Sequence, residues 1–130
     1  MYFVLLPFRG AGAKPLLAMN ELTVISDFYD IMLWVIGHTE KFPRHHRYSL
    51  GIAIENRLQT ILSLLLRAKY IRDKAAILSE ANIELELLRF QIRLAKDLKV
   101  LPVKSHGFAA ERMQAVGSQI GGWLKERGQR

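Results

Sequence analysis

Hydrophobic residues recur every three or four positions through most of the chain, which is the period of an amphipathic α-helix. Three such stripes are Ile25, Phe28, Met32 and Val35; Leu50, Ile54, Leu58, Ile61 and Leu65; and Ala109, Met113, Val116, Ile120 and Trp123. Together with the turn residues between them, they predict helices over about 23–41, 45–70, 74–98 and 105–125, and no segment alternates with the period of a strand. Short connections make neighbouring helices antiparallel. The pattern therefore predicts an all-α fold, an antiparallel up-down-up-down four-helix bundle.

The third predicted helix carries two apolar stripes instead of one. The inner stripe is Leu78, Ala81, Leu85, Leu88, Ile92 and Ala95, and the second is Ile83, Leu87, Phe90 and Leu94. On a helical wheel the second stripe lies roughly 160° from the first. A bundle core needs one stripe, so we predict that the second is an oligomer interface.

A narrow strip of polar positions separates these stripes and holds Arg89, Arg93 and Lys96. If a second copy covers the outer stripe, these cations line a groove or a channel. The alternative is that they are ordinary surface side chains, with aliphatic stems on the protein and charged ends in water.

The segment before the first predicted helix, residues 1–19, differs in character. Its apolar run, "MYFVLLPF", contains a proline and is too short to cross a bilayer. It also lacks the leading positive charge of a signal peptide. We predict a poorly ordered extension over 1–19, a single bundle domain over 20–127 and no membrane association. The chain has no cysteine, which suits a reducing, cytoplasmic location.

Positive charge dominates the composition and is concentrated in the middle of the chain. Nineteen Lys and Arg residues against twelve Asp and Glu give a net charge of +7. The stretch 41–72 contains Lys41, Arg44, Arg47, Arg57, Arg67, Lys69 and Arg72, opposed by Glu55; the stretch 89–104 contains Arg89, Arg93, Lys96, Lys99 and Lys104, opposed by Asp97. Such clustering favours binding to a phosphate backbone, because neutralised phosphates release condensed counterions. A solvated basic surface without a partner is the alternative.

Motifs of catalysis are weak by comparison. Three histidines, His45, His46 and His106, have no nearby carboxylates that would complete a zinc site. Glu80 and Glu84 form one i, i+4 pair, but the other helices offer no matching pair of the kind found in di-metal bundles. We therefore predict no catalytic residues, no metal and no cofactor, and a binding protein, not an enzyme.

Three ordered stretches resemble a known family: "FPRHHRYSLGIAIENRL", "LELLRFQIRLAKDLKVL" and "ERMQAVGSQIGGWLK". They are similar to the accessory variability determinant of diversity-generating retroelements, which belongs to a wider group of four-helix proteins also encoded in intervening sequences of bacterial 23S rRNA genes. The likeness covers about residues 22–125, and residues 1–19 fit no part of it.

This resemblance implies a homopentameric ring that binds the reverse transcriptase of the retroelement together with RNA and DNA. In that role the protein supports mutagenic reverse transcription and retrohoming without being the polymerase. The resemblance places Arg44 and Arg47 in a basic loop and Arg89, Arg93 and Lys96 in a basic helix. With the charge pattern it gives a predicted nucleic-acid contact set of Arg44, Arg47, Arg57, Arg67, Arg89, Arg93 and Lys96.

A second function is compatible with the same sequence. The chain could be a structural or protein-interaction bundle of the rRNA intervening-sequence type, without nucleic-acid binding, because fold does not fix function. Neighbouring genes separate the two: a reverse transcriptase with paired template and variable repeats indicates the first, and an rRNA operon the second.

Overall fold

The computed structural model describes the backbone of residues 16–128 and the side chains of residues 23–126. Within those limits all regular structure is helical, which confirms the predicted fold class. Helix α1 is Leu16–Thr39, α3 is Ala75–Asp97 and α4 is Val103–Gly128. Helix α2 is continuous from Arg44 to Tyr70, with a first turn Arg44–His46, a π-helical segment Arg47–Gly51 and an α-helical part Ile52–Tyr70. Residues 16–19, predicted to belong to the extension, begin α1, and residues 1–15 lie outside the described part.

The four helices pack in a cycle. Helix α1 packs on α2 and α4, and α3 packs on the same two helices, so that α1 and α3 lie on one diagonal of the bundle. Antiparallel neighbours bring the α1–α2 and α3–α4 connections to one end. The α2–α3 connection lies at the other end. There Lys74 Nζ donates to the carbonyls of Ala68 at 2.7 Å and Ile71 at 2.9 Å, which satisfies carbonyls at the end of α2 that have no helical partner.

The core consists of the predicted stripes. All six inner-stripe residues of α3 are buried, as are all five predicted for α4, and only Ile25 and Leu50 at the margins of their stripes are partly exposed. Burying these large side chains stabilises the fold by roughly 1.5–3 kcal/mol for each one relative to an exposed position. The polar Thr39 is also buried, and its hydroxyl donates to Glu55 Oε2 at 2.5 Å, which ties α1 to α2.

Helix α3 ends in a Schellman motif built on Lys99. The amide of Val100 donates to the Ala95 carbonyl at 3.0 Å and that of Lys99 to the Lys96 carbonyl at 2.9 Å. Lys99 has φ of 65°, the left-handed region in which an L-residue costs roughly 1–2 kcal/mol and glycine very little. The turn therefore places a strained, exposed lysine at this end of the bundle.

We expect Lys99→Gly to raise the free energy of unfolding by about 0.5–1 kcal/mol, because glycine removes the strain of the left-handed conformation. Urea unfolding at a fixed protomer concentration measures the change. The matched control is Arg93→Gly in the exposed interior of α3, which should lower stability by about 1 kcal/mol. Equal destabilisation by both substitutions would contradict the role assigned to Lys99.

Candidate nucleic-acid interface

The seven cations predicted as nucleic-acid contacts do not form one surface. Arg44 and Arg47 lie at the start of α2, and Lys96 lies at the end of α3 that adjoins them. Arg67 lies in the last turn of α2, at the opposite end of the bundle. The remaining three, Arg57, Arg89 and Arg93, lie along the helices between the two ends.

Arg57 is engaged within the fold. Its guanidinium forms an ion pair with Glu84 of α3, and its Nε donates to Gln91 Oε1 at 3.1 Å. The two charged side chains are only 27% and 19% exposed. A phosphate would have to displace this pair, so we assign Arg57 to the contact between α2 and α3.

The cation strip of α3 is partly neutralised by acids on the same helix. Arg89 donates to Gln114 Oε1 of α4 at 2.8 Å and lies 3.7 Å from Glu86. Asp97 lies 3.8 Å from Arg93 Nε and 3.4 Å from Lys96 Nζ. Surface pairs of this kind contribute little to stability, but they lower the net charge of the strip. Arg89 of the strip lines an open groove between α3 and α4 of about 430 Å³, whose walls are both polar and apolar.

A larger cluster of cations than the strip of α3 lies at the end of the bundle that contains the α1–α2 and α3–α4 connections. We call it the basic end and define it by its six Lys and Arg residues: Lys41, Arg44, Arg47, Lys96, Lys99 and Lys104. The acids of the same two segments, 38–47 and 96–106, are Glu40 and Asp97, and the four histidines of the protein lie there too. The sequence could have predicted this cluster. Three of its cations adjoin the first connection and three adjoin the third, and these two connections share an end in an up-down bundle.

Two helix N-termini add to the positive potential of the basic end. Helices α2 and α4 both begin there, and neither has an acidic residue in its first turn. Instead the first turn of α2 contains Arg44, and Lys104 follows the first residue of α4. Cations at a helix N-terminus oppose the macrodipole and cost stability. The backbone N–H groups of a first helical turn have no partner within the helix, and together with nearby basic side chains they are suited to binding anions.

An exposed aromatic side chain lies among these cations. Tyr48 is 61% exposed, and the Arg47 guanidinium carbon lies 5.6 Å from the centre of its ring. Aromatic rings beside cations are the usual elements of single-strand binding, because bases stack on the ring while the cations contact the backbone. The basic end therefore combines the two kinds of side chain that single-strand binding uses.

The predicted oligomer interface is a separate surface. Its side chains, Ile83, Leu87, Phe90 and Leu94, are 62%, 43%, 57% and 46% exposed. We call these four residues the outer stripe. They point away from the core that the other face of α3 fills, and large apolar groups contiguous in this way mark interaction surfaces.

A comparison with protein families completes this picture. The model of one family, described as bAvd-like, matches residues 22–127. The chain belongs to the bAvd-like family. The match confirms the resemblance to accessory variability determinants, and such proteins are accessory and non-catalytic. Comparisons with curated proteins and with solved structures found no match.

Two further findings concern this bAvd-like bundle. Among the described residues, no three His, Cys, Asp or Glu side chains come together in a way that could hold a metal ion. None of the described helices combines the length and the apolar character needed to cross a bilayer.

Proposed function

We propose that this bAvd-like protein is a non-catalytic accessory subunit of a diversity-generating retroelement and binds template RNA and cDNA at its basic end. The observation that supports this most is that six cations and two helix N-termini lie at the same end of the bundle. Family membership supplies the second support. The protein then holds the nucleic acid for a reverse transcriptase, which carries out the polymerisation.

The contacts at the basic end favour backbone binding over base recognition. Lysine and arginine neutralise phosphates and release counterions irrespective of base sequence. Stacking on Tyr48 is also tolerant of sequence, because every base has a π-face. We propose a mode of binding that is salt-sensitive and weakly selective, suited to a template that passes through the complex.

Self-association through the outer stripe is part of the same proposal. The family likeness implies a pentameric ring, and cyclic symmetry repeats each surface about one axis. If the bundles stand along that axis, all basic ends lie on one face of the ring. Five weak phosphate sites on one face then act together, because each later contact is intramolecular.

Binding to single-stranded RNA across a series of salt concentrations tests the proposed function. Fluorescence anisotropy should give a log–log slope of about −0.7 for each phosphate contact. A tagged copy should also co-purify with the reverse transcriptase encoded beside it. A protein that binds no RNA at low salt and retains no reverse transcriptase would instead be a structural bundle of the rRNA intervening-sequence type.

A further inference from the structure

The protomer has a second apolar surface, on a face different from that of the outer stripe. It is a groove between α1 and α4 of about 220 Å³, lined by Ile31, Trp34, Phe108 and Ala109, with Asp30 and Arg112 beside them. The Trp34 and Phe108 rings lie 5.1 Å apart at an angle of 42°. Phe108 is 43% exposed, and Trp34 is partly exposed. We call this surface the aromatic groove.

We infer that the aromatic groove of one protomer receives the outer stripe of a second copy of the chain. The inference rests on the proposed self-association and specifies its geometry. A symmetric contact of stripe on stripe would leave Phe108 and the partly exposed Trp34 in water. A head-to-tail contact of stripe in groove covers both apolar surfaces with one type of interface.

The positions of the two surfaces suit a closed ring. Because α1 and α3 are diagonal, a partner bound to the outside of α1 would lie directly opposite the outer stripe. Repeating that contact would add copies along a straight line and form a filament. The groove lies between α1 and α4, so its direction is turned from that straight line toward α4. A head-to-tail contact with such a turn rotates each copy relative to the last, and it closes into a ring when a whole number of these rotations completes one turn.

Charge is also matched between the surfaces. The outer stripe is bordered by Glu86 and Arg93, whose side chains are 61% and 62% exposed. The groove has one acid and one base of its own, Asp30 and Arg112, and the Arg112 guanidinium carbon lies 5.6 Å from the centre of the Phe108 ring. Opposite charges on the two borders fix the register of docking more than its strength.

Two single substitutions and their mixture test this geometry. Phe90→Asp damages the stripe and Phe108→Asp damages the groove, while each leaves the other surface intact. Light scattering on a chromatography peak should show each variant near the protomer mass of 14.9 kDa. Mixed in equal amounts, they should form a species of twice that mass, because one intact stripe meets one intact groove and no further copy can add.

The control is Ile52→Asp on the exposed face of α2, where Ile52 is 44% exposed and belongs to neither surface. It should assemble as the unchanged protein does, and circular dichroism checks that all three variants fold. If Phe108→Asp assembles normally and mixing forms no dimer, the groove is not the partner surface. If the unchanged protein is itself a monomer, the proposed self-association fails, whereas the RNA salt slope still tests nucleic-acid binding separately.

Discussion

Replacing Arg44, Arg47 and Lys104 together by glutamine should weaken binding to single-stranded RNA by at least about 100-fold at 0.1 M salt. Each lost contact removes about 0.7 from the log–log salt slope, so three contacts amount to about two decades at that concentration. Anisotropy titrations at several salt concentrations give both the affinity and the slope. The slope should become flatter by about 2 for each protomer that contacts the RNA.

This variant should remain folded. Arg44 and Lys104 lie in the first turns of α2 and α4, where a cation opposes the helix dipole. Removing each such charge should leave stability unchanged or raise it by about 0.3–1 kcal/mol. Thermal unfolding therefore distinguishes a lost binding surface from a lost fold, because the expected changes in affinity and stability have opposite signs.

The matched control removes the same charge from the opposite end of the bundle. Arg67 and Lys69 lie in the last turn of α2, and the exposed Lys125 lies near the end of α4. Changing these three to glutamine should leave the salt slope unchanged. Equal weakening by both triple variants would mean that net charge alone attracts RNA, and it would contradict a site at the basic end.

The periodicity of the sequence was sufficient for the core and for the surplus apolar face. A helix fixes the angle between residues, so two stripes about 160° apart cannot both enter one core. The structure accordingly buries Leu85 and Leu88 and leaves Ile83 and Phe90 exposed. The start of α1 at Leu16 and the π-helical segment Arg47–Gly51 could not be predicted from the hydrophobic pattern, because each involves too few residues to show a period.

The partners of the charged side chains were harder to predict than the core, because they lie far away in sequence. Arg57 and Glu84 are on different helices, and only the packing of α2 on α3 brings them together. The charge pattern alone does not place Lys99 and Lys104 at the same end of the bundle as Arg44, although the predicted topology implies that their connections share an end. The sequence thus shows how many cations each segment contains. Their positions in the bundle follow only when the connections that share an end are identified.

Trp123→Ala should lower the free energy of unfolding by about 3–5 kcal/mol, the largest stability effect expected of any single substitution here. The side chain is 1% exposed within the core, so alanine leaves a cavity that the four helices cannot fill. A domain of this kind has only about 5–15 kcal/mol of stability in total. Urea unfolding followed by circular dichroism, at one protomer concentration for all variants, measures the loss.

Trp123→Phe provides the control, because it retains an aromatic ring in the core. The indole Nε1 is buried and has no hydrogen-bond acceptor among the described residues. An unpaired buried donor costs about 1–3 kcal/mol, and phenylalanine removes that donor together with part of the ring. The two effects oppose each other, so phenylalanine should cost far less than alanine. Similar losses for both variants would show that Nε1 is paired in solution and that its hydrogen bond, not the volume of the ring, stabilises the bundle.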